Sequence, residues 1–487
     1  MLIRQTILYL PAQLLGPMFQ FIAAVVWTHW LQPDAYGLLT SIMAAQELAF
    51  IGCLSWWSAY TLRYVGTFDG ADEQQKFQRA ENAILWVSSV GQALIGVASL
   101  VVFRLELTPT LILWTVLFTT SRCTGTHMGE RARARGMIGA YTLSQLVGPV
   151  GGFALAYLFL SRMAATPESA LAGFAIAKII GLALSWRMMR MGYRVAMPTT
   201  AMLWRALAFG LPLLLGGVIS WICVNGIRII IERLNGAEAL GLISVGWGLG
   251  QRLASVAAML VTAAAFPLAV ARLKTGSIDD ALRQLSAGGA LLLGILAPAT
   301  AGIALVSPDV VQLMIAEPFR DVTTIILPVA ALAGALRNFR MHFGDQPMIL
   351  LEKTPMTIWV NSVEAIATVA GCAIGASSFG LFGAVLGCLF GTVVGLVFGF
   401  ALSVVKFGLP LPWDEAGRIL LATAAMALAV NASRLHPASN ALPVQLGVEV
   451  AIGAVAYGCA LAALYPHEVV TRAVRLRDML MRRIRLA

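Results

Sequence analysis

Apolar runs of bilayer-crossing length, joined by only a few polar residues, leave this chain very few ways to fold. The clearest pair flanks LQPDAYGLL, Leu31 to Leu39. One run extends from about Ile7 to Trp30 and the next from about Gly37 to Tyr60. A spanning helix needs roughly 20 mostly apolar residues at ~1.5 Å per residue, so the two runs make a tight transmembrane hairpin. Pro33 and Gly37 punctuate the turn, and Asp34 is available to cap the second helix. The pattern recurs along the chain. It predicts an all-α polytopic membrane protein of fourteen spans, the first at about 7–30, the fourth at 108–121 and the last at about 443–465.

Composition excludes the soluble alternatives. Of 487 residues 59% are hydrophobic and 12% charged, with a mean hydropathy of +0.81, whereas a soluble chain carries about 25% charged residues. The first apolar run is too long for a cleaved leader, has only Arg4 before it and lacks an A-x-A site, so it is expected to stay as an anchor. The six cysteines fall mostly inside apolar runs without a CxxC pair, which reads as packing. The net charge of +10 follows from topology. Of the 34 lysines and arginines, Arg104, Arg162, Arg233, Arg320 and Arg434 fall on one side, Lys178, Arg228 and Arg252 fall inside spans, and the rest share the side of the N-terminus. That bias predicts two cytoplasmic termini, favours anionic lipid, and makes nucleic acid an unexpected partner. Two basic features lie on that side: GERARARG, Gly129 to Gly136, read as a turn between spans four and five, and a tail whose Val470, Val474, Met481 and Ile484 suit an amphipathic helix or a solvated anchor flank.

The hairpin has an echo. Leu211-Pro212 opens the seventh span as Leu10-Pro11 opens the first, LNGAEALGLI (Leu234 to Ile243) follows as LQPDAYGLL does, and QRLA (Gln251 to Ala254) answers QELA (Gln46 to Ala49). Both pairs of spans enter from the same side. This predicts two six-helix bundles in a parallel pseudo-twofold repeat, 1–200 and 201–409, two additional helices over 410–466, and a basic cytoplasmic tail over 467–487. Parallel repeats are a transporter architecture with the substrate site between the halves.

Ionisable groups inside spans cost several kcal/mol unless they face water or a partner. Glu47 falls about ten residues into span two, ~15 Å deep, and Arg252 holds the matching place in span eight. Lys178 lies at similar depth. Asn225, Arg228 and Glu232 share one helical face, Arg337, Asn338 and His342 make span ten polar toward its inner end, and Asn361, Glu364 and Thr368 form a stripe on span eleven. Two readings stand. Lys178, Asn225, Arg228, Arg252, Arg337, Glu47 and Glu364 line an aqueous cavity between the halves, or they pair, Glu47 with Arg252 and Arg228 with Glu232, and only fix packing. His29 and His436 read as interfacial, and Glu449 as snorkelling outward. No G-x-x-x-x-G-K-[ST], H-E-x-x-H or G-x-S-x-G occurs, so neither cofactor nor catalytic centre is expected.

LQPDAYGLL, the following QELA, and Arg63-Tyr64 resemble the opening of bacterial polysaccharide and O-antigen flippases, within the superfamily of multidrug, oligosaccharidyl-lipid and polysaccharide exporters. The resemblance is strongest over Ile7 to Gly66. It implies two bundles rocking about a cationic cavity, and movement of an undecaprenyl-diphosphate-linked oligosaccharide from the inner to the outer leaflet of the bacterial inner membrane. Membrane lipids and a polysaccharide polymerase are the other implied partners. Lys178, Arg228, Arg252 and Arg337 suit a diphosphate cargo with acidic sugars; Glu47 and Glu364 are candidates for a coupling proton or Na⁺. Alternatives are a lipid II flippase, a multidrug antiporter of the same superfamily, or, in another class, a membrane glycosyltransferase or polymerase, for which the outer connection from Ser307 to Asp321 is small.

Overall fold

A computed structural model describes residues 2–68, 70–103, 107–435 and 439–466, with all their side chains except those of 2–14, 257, 260, 263 and 264. Among the described residues every regular element is helical, as it must be where backbone groups meet lipid with no water to bond. Among the described residues fourteen helices form the body of the fold, most of them long and apolar enough to cross a membrane. They are α1 (Leu2–Thr28), α2 (Pro33–Cys53, continuing as Ser55–Tyr64), α3 (Ala71–Val102), α4 (Pro109–Ala134), α5 (Ile138–Leu146 and Gly152–Arg162), α6 (Pro167–Met188), α7 (200–235), α8 (237–275), α9 (Ile278–Met314), α10 (Glu317–Phe339), α11 (355–378), α12 (381–407), α13 (Trp413–Leu435) and α14 (Leu442–Leu464). The α7–α8 and α11–α12 hairpins turn without a loop. Gly236 (φ 89°) breaks the first and Gly380 (φ 62°) the second, a left-handed backbone that side chains resist.

Two local details differ from the sequence reading. Pro33 starts α2 and Asp34 lies in its first turn, with no side-chain cap bond at Gln32 before it. α4 runs on to Ala134, so GERARARG begins as helix, and Arg131 inside it is 1% exposed. The expected tail at 467–487 and His436 lie outside the described residues.

Core packing is asymmetric along the membrane normal. At the face away from the basic loops one continuous apolar core joins both halves: Trp27, Tyr36 and Ile42 of the first half lie in it with Val245, Leu249, Phe319 and Leu327 of the second. At the basic face the halves keep largely separate cores, one around Trp57, Phe77 and Tyr141 and another around Leu282, Phe343 and Leu409. α2 and α7 still run together there, with Phe209 against Tyr64 (6.0 Å between ring centroids) and under the Arg63 guanidinium (5.0 Å).

The shared core holds the two hairpins. A Cβ on Gly37 would sit 2.7 Å from the Ala237 carbonyl and 2.8 Å from the Gly241 nitrogen; one on Gly241 would collide with the Pro33 carbonyl. Gly37 and Gly241 are matching positions in the repeat. A residue touches its own counterpart only near the axis relating the two halves, so the pseudo-twofold passes through this crossing. Thr28 Oγ1 accepts from Ala316 N (3.2 Å) and His29 Nε2 meets the Met314 carbonyl (3.0 Å) beside it.

α13 and α14 pack on each other and on α9. The Tyr457 hydroxyl donates to the Gly294 carbonyl (2.7 Å), and Arg434 bridges Asp309 (2.6 Å) and Glu449 (2.8 Å). Glu449 is thus 2% exposed and ion-paired, where the sequence suggested that it snorkels.

Candidate functional site

The ionisable side chains of the spans sort into three groups. The first surrounds the axis at mid-depth, below the glycine crossing. Arg252 of α8 reaches across the halves and donates from NH1 to the Gln20 carbonyl of α1 (2.9 Å). Asn225 of α7 donates to Glu47 of α2 (3.4 Å), and Arg228 donates to Asn225 Oδ1 (3.2 Å) and to Ser244 Oγ (3.0 Å). Glu47 is exposed and within electrostatic reach of Arg122 and Arg228, and among the described residues it forms no direct ion pair with either or with Arg252. Neither expected pairing forms: Glu232 lies instead by Arg233 (3.8 Å).

Lys178 belongs to the same region. Its stem lies against Gly125 of α4 and Gly148, positions where any Cβ would crowd it, and its ammonium donates to the Ser144 carbonyl (3.0 Å). A π-helical turn over Val147–Gly151 creates that space within α5. Pro149 lacks an N–H and cannot sit in an undisturbed helical ladder, and such turns often mark functional sites. Between Lys178 and Arg252 lies Arg122 of α4. Its guanidinium rests over the Phe118 ring (5.5 Å) and has no ion pair or hydrogen bond among the described residues. Two adjoining cavities, about 50 and 120 Å³, share Gln20, Arg122, Pro149 and Phe174; Arg252 borders one and Lys178 the other. Three cations from α4, α6 and α8 therefore border two adjoining, largely carbon-lined cavities between the two halves.

Arg122 was not among the expected site residues, since ending span four at 121 placed it in a loop. The signal was present: 108–121 is only fourteen residues, short of the roughly 20 needed to cross. Gln20 and Ser244 had no sequence signal, because a backbone carbonyl and a lone serine join the site only through tertiary packing.

Arg337 and Glu364 do not reach this space. They form a second group at the basic end of the second half. Arg337 donates to Glu364 (2.9 Å) and to Ser220 Oγ (2.9 Å), and Arg340 forms an ion pair with the other Glu364 oxygen (2.8 Å) and donates to Asn361 (2.7 Å). Asp345 lies 3.7 Å from Arg340. Glu364 is 1% exposed and Arg340 1%. Two guanidiniums and two carboxylates balance in a closed network that ties α10 to α11 and to α7.

The third group mirrors it in the first half. Glu81 of α3 accepts from His127 Nε2 (2.9 Å) and contacts Arg131, while His127 Nδ1 meets Ser58 Oγ (2.8 Å). Ser, His and Glu in this order resemble a nucleophile and its base. Burial removes that reading: Ser58 is 4% exposed, and His127 and Glu81 are fully enclosed, so no substrate carbonyl reaches the hydroxyl.

Comparisons with known proteins bear on the fold and on one segment of it. A family model described as polysaccharide biosynthesis protein matches residues 137–271, which carry the π turn, Lys178, Asn225, Arg228 and Arg252. Among solved structures, the chain superposes on "Lipid II flippase MurJ, inward closed conformation" with a TM-score of 0.70 at 12% identity, over 95% of this chain and 100% of that one. An inward-facing multidrug resistance MATE family transporter of the MOP superfamily gives 0.62 at 14% identity (82% and 98% covered), and an outward-facing one 0.55 at 14% (83% and 95%). No curated protein matches by sequence. At these identities the likeness shows a fold. A segment that matches a polysaccharide-biosynthesis family model is thus set in a fold shared with lipid II flippase and MATE transporter structures, with cations of the spans gathered near its axis.

Proposed function

We propose that the protein moves an undecaprenyl-diphosphate-linked oligosaccharide from the inner to the outer leaflet of the bacterial inner membrane by alternating access, with both termini cytoplasmic. The observation that carries this reading is the convergence of Arg122, Lys178 and Arg252 on two adjoining cavities, with Glu47 the one carboxylate within electrostatic reach of Arg122 among the described residues. Three cations against one anion leave a net attraction for a diphosphate, and guanidinium forks match phosphate geometry. The 3:1 balance disfavours a cationic drug as cargo.

The asymmetric core supplies the second half of the mechanism. The outer side is sealed by a core shared between the halves, while the basic side has separate cores. This suits a form that receives cargo from the cytoplasm. Cavities of about 50 and 120 Å³ are far too small for an oligosaccharide diphosphate, so the halves must part at the basic side to load and at the glycine crossing to release. The polyprenyl tail stays in lipid throughout, which spares the protein from enclosing it.

The test is reconstitution with a labelled undecaprenyl-diphosphate oligosaccharide, scoring arrival of the sugar at the far leaflet with a membrane-impermeant reagent. Wild type is expected to translocate the sugar, and Arg252→Gln and Lys178→Gln each to reduce the rate with the melting profile unchanged. Extrusion of cationic dyes without sugar movement would overturn the assignment, as would undiminished transport by the double variant.

A further inference from the structure

One recess of the first half lies away from the axis, on its membrane-facing flank. It is a groove of about 400 Å³ between α3, α4 and α6, within the ~300–1,000 Å³ range of small-molecule sites. It begins near the middle of α4 at Leu117 and ends at the basic face, where the rings of Trp186 and Tyr193 stack (5.8 Å, 14°).

Its polarity is graded. Toward the bilayer centre the hydroxyls of Ser89, Thr120 and Ser121 bond to carbonyls of their own helices, which leaves mostly carbon facing the groove. Trp86 walls this part and is 70% exposed. At the basic end stands Asn82. Its amide NH₂ donates to the carbonyls of Gly192 (2.8 Å) and Arg194 (2.9 Å), which pins the 189–196 strap and fixes the amide orientation. The other end of that amide, Oδ1, is then an acceptor. It is buried, has no donor among the described residues, and belongs to a residue 2% exposed. A buried acceptor without a donor costs about 1–3 kcal/mol. Arg187 and Arg194, both exposed and without an ion pair to a carboxylate among the described residues, follow the lining residues Trp186 and Tyr193 in the chain.

We propose that this groove holds one phospholipid of the leaflet at the basic face, with a chain along the carbon-lined floor, its phosphate at Arg187 and Arg194, and a headgroup donor that reaches the buried Asn82 Oδ1 by displacing the groups that cover it. Charge complementarity selects an anionic phosphate. The orphan acceptor selects a headgroup that carries a donor, so phosphatidylethanolamine (ammonium) and phosphatidylglycerol (hydroxyl) fit. Phosphatidylcholine has the phosphate and the chains, and it has no donor to offer. The site is distinct from the cavity at the axis and does not depend on the cargo proposed for it.

Native mass spectrometry of the full chain tests this, after exchange into micelles holding equal amounts of the three lipids. Wild type is expected to retain one phosphatidylethanolamine or phosphatidylglycerol and to hold phosphatidylcholine about tenfold more weakly, the worth of roughly one hydrogen bond. Ser89→Trp, which fills the floor, and Arg187→Gln with Arg194→Gln, which remove the two guanidiniums, are each expected to abolish retention with the melting profile unchanged. Equal retention of phosphatidylcholine would overturn the donor assignment. Retention undiminished in Ser89→Trp would place the lipid elsewhere, and displacement by inorganic phosphate alone would reduce the site to a bare anion patch.

Discussion

At the scale of residues, the ionisable side chains do two different jobs, and the geometry separates them. Glu364 between Arg337 and Arg340, and Glu81 between His127 and Arg131, are closed networks with every charge matched in the dry interior. Removing one partner strands the other, at a cost of about 3–5 kcal/mol. Glu364→Ala and Glu81→Ala are therefore expected to lower the thermal midpoint sharply or to prevent accumulation of folded protein, read by size-exclusion profile and melting in detergent. Arg122 is the opposite case. It has a ring beneath it and only the exposed Glu47 within electrostatic reach, without a direct ion pair, so Arg122→Gln strands no buried partner. We expect it to fold like wild type and to slow sugar translocation by about 10–100-fold, the ~1.5–3 kcal/mol of a charged hydrogen bond. A melting loss with transport intact would put Arg122 in the structural class.

At the scale of elements, the hairpin repeat and the π turn carry the mechanics. The repeat was legible because LQPDAYGLL and LNGAEALGLI share their glycine and their following leucine, and the structure explains the match: Gly37 and Gly241 are where two backbones cross with no room for a Cβ. The span count was legible too, since lipid forces every crossing into an apolar helix of similar length. Pairing was not. Whether Arg337 meets a cavity or Glu364 is decided by contacts between residues 27 apart in sequence, and Arg252 finds a carbonyl 232 residues away. Helical periodicity gives the face of one helix and says nothing about which neighbour it meets. Arg122 was lost through a boundary, because the polar composition of RCTGTHMGERARARG hides a helix that runs to Ala134. The π turn gives an element-scale prediction. Pro149→Ala restores a donor and permits a regular α5, which narrows the space beside Lys178. Transport is expected to fall while stability holds or rises, since proline inside a helix costs ~3 kcal/mol; unchanged transport would make the turn a passive defect.

At the scale of the whole molecule, the two halves share a core on one face and keep separate cores on the other, and any transport cycle must break the shared one. The seam includes the Gly37–Gly241 crossing, the Tyr36–Phe319 ring contact (5.5 Å) and the Thr28–Ala316 hydrogen bond (3.2 Å). It is apolar and tightly packed, so parting it costs burial on the order of ~25 cal/mol per Å² exposed. A covalent clasp across the seam should therefore stop the cycle without disturbing loading. In a background stripped of the six native cysteines, which are all free, Thr28→Cys with Ala316→Cys places two thiols across the seam. Oxidation is expected to arrest sugar translocation and leave cargo binding from the basic face intact, and reductant is expected to restore transport. Transport that continues through the clasp would mean that the outer seam never opens, and that the head group leaves by a path other than the axis between the halves.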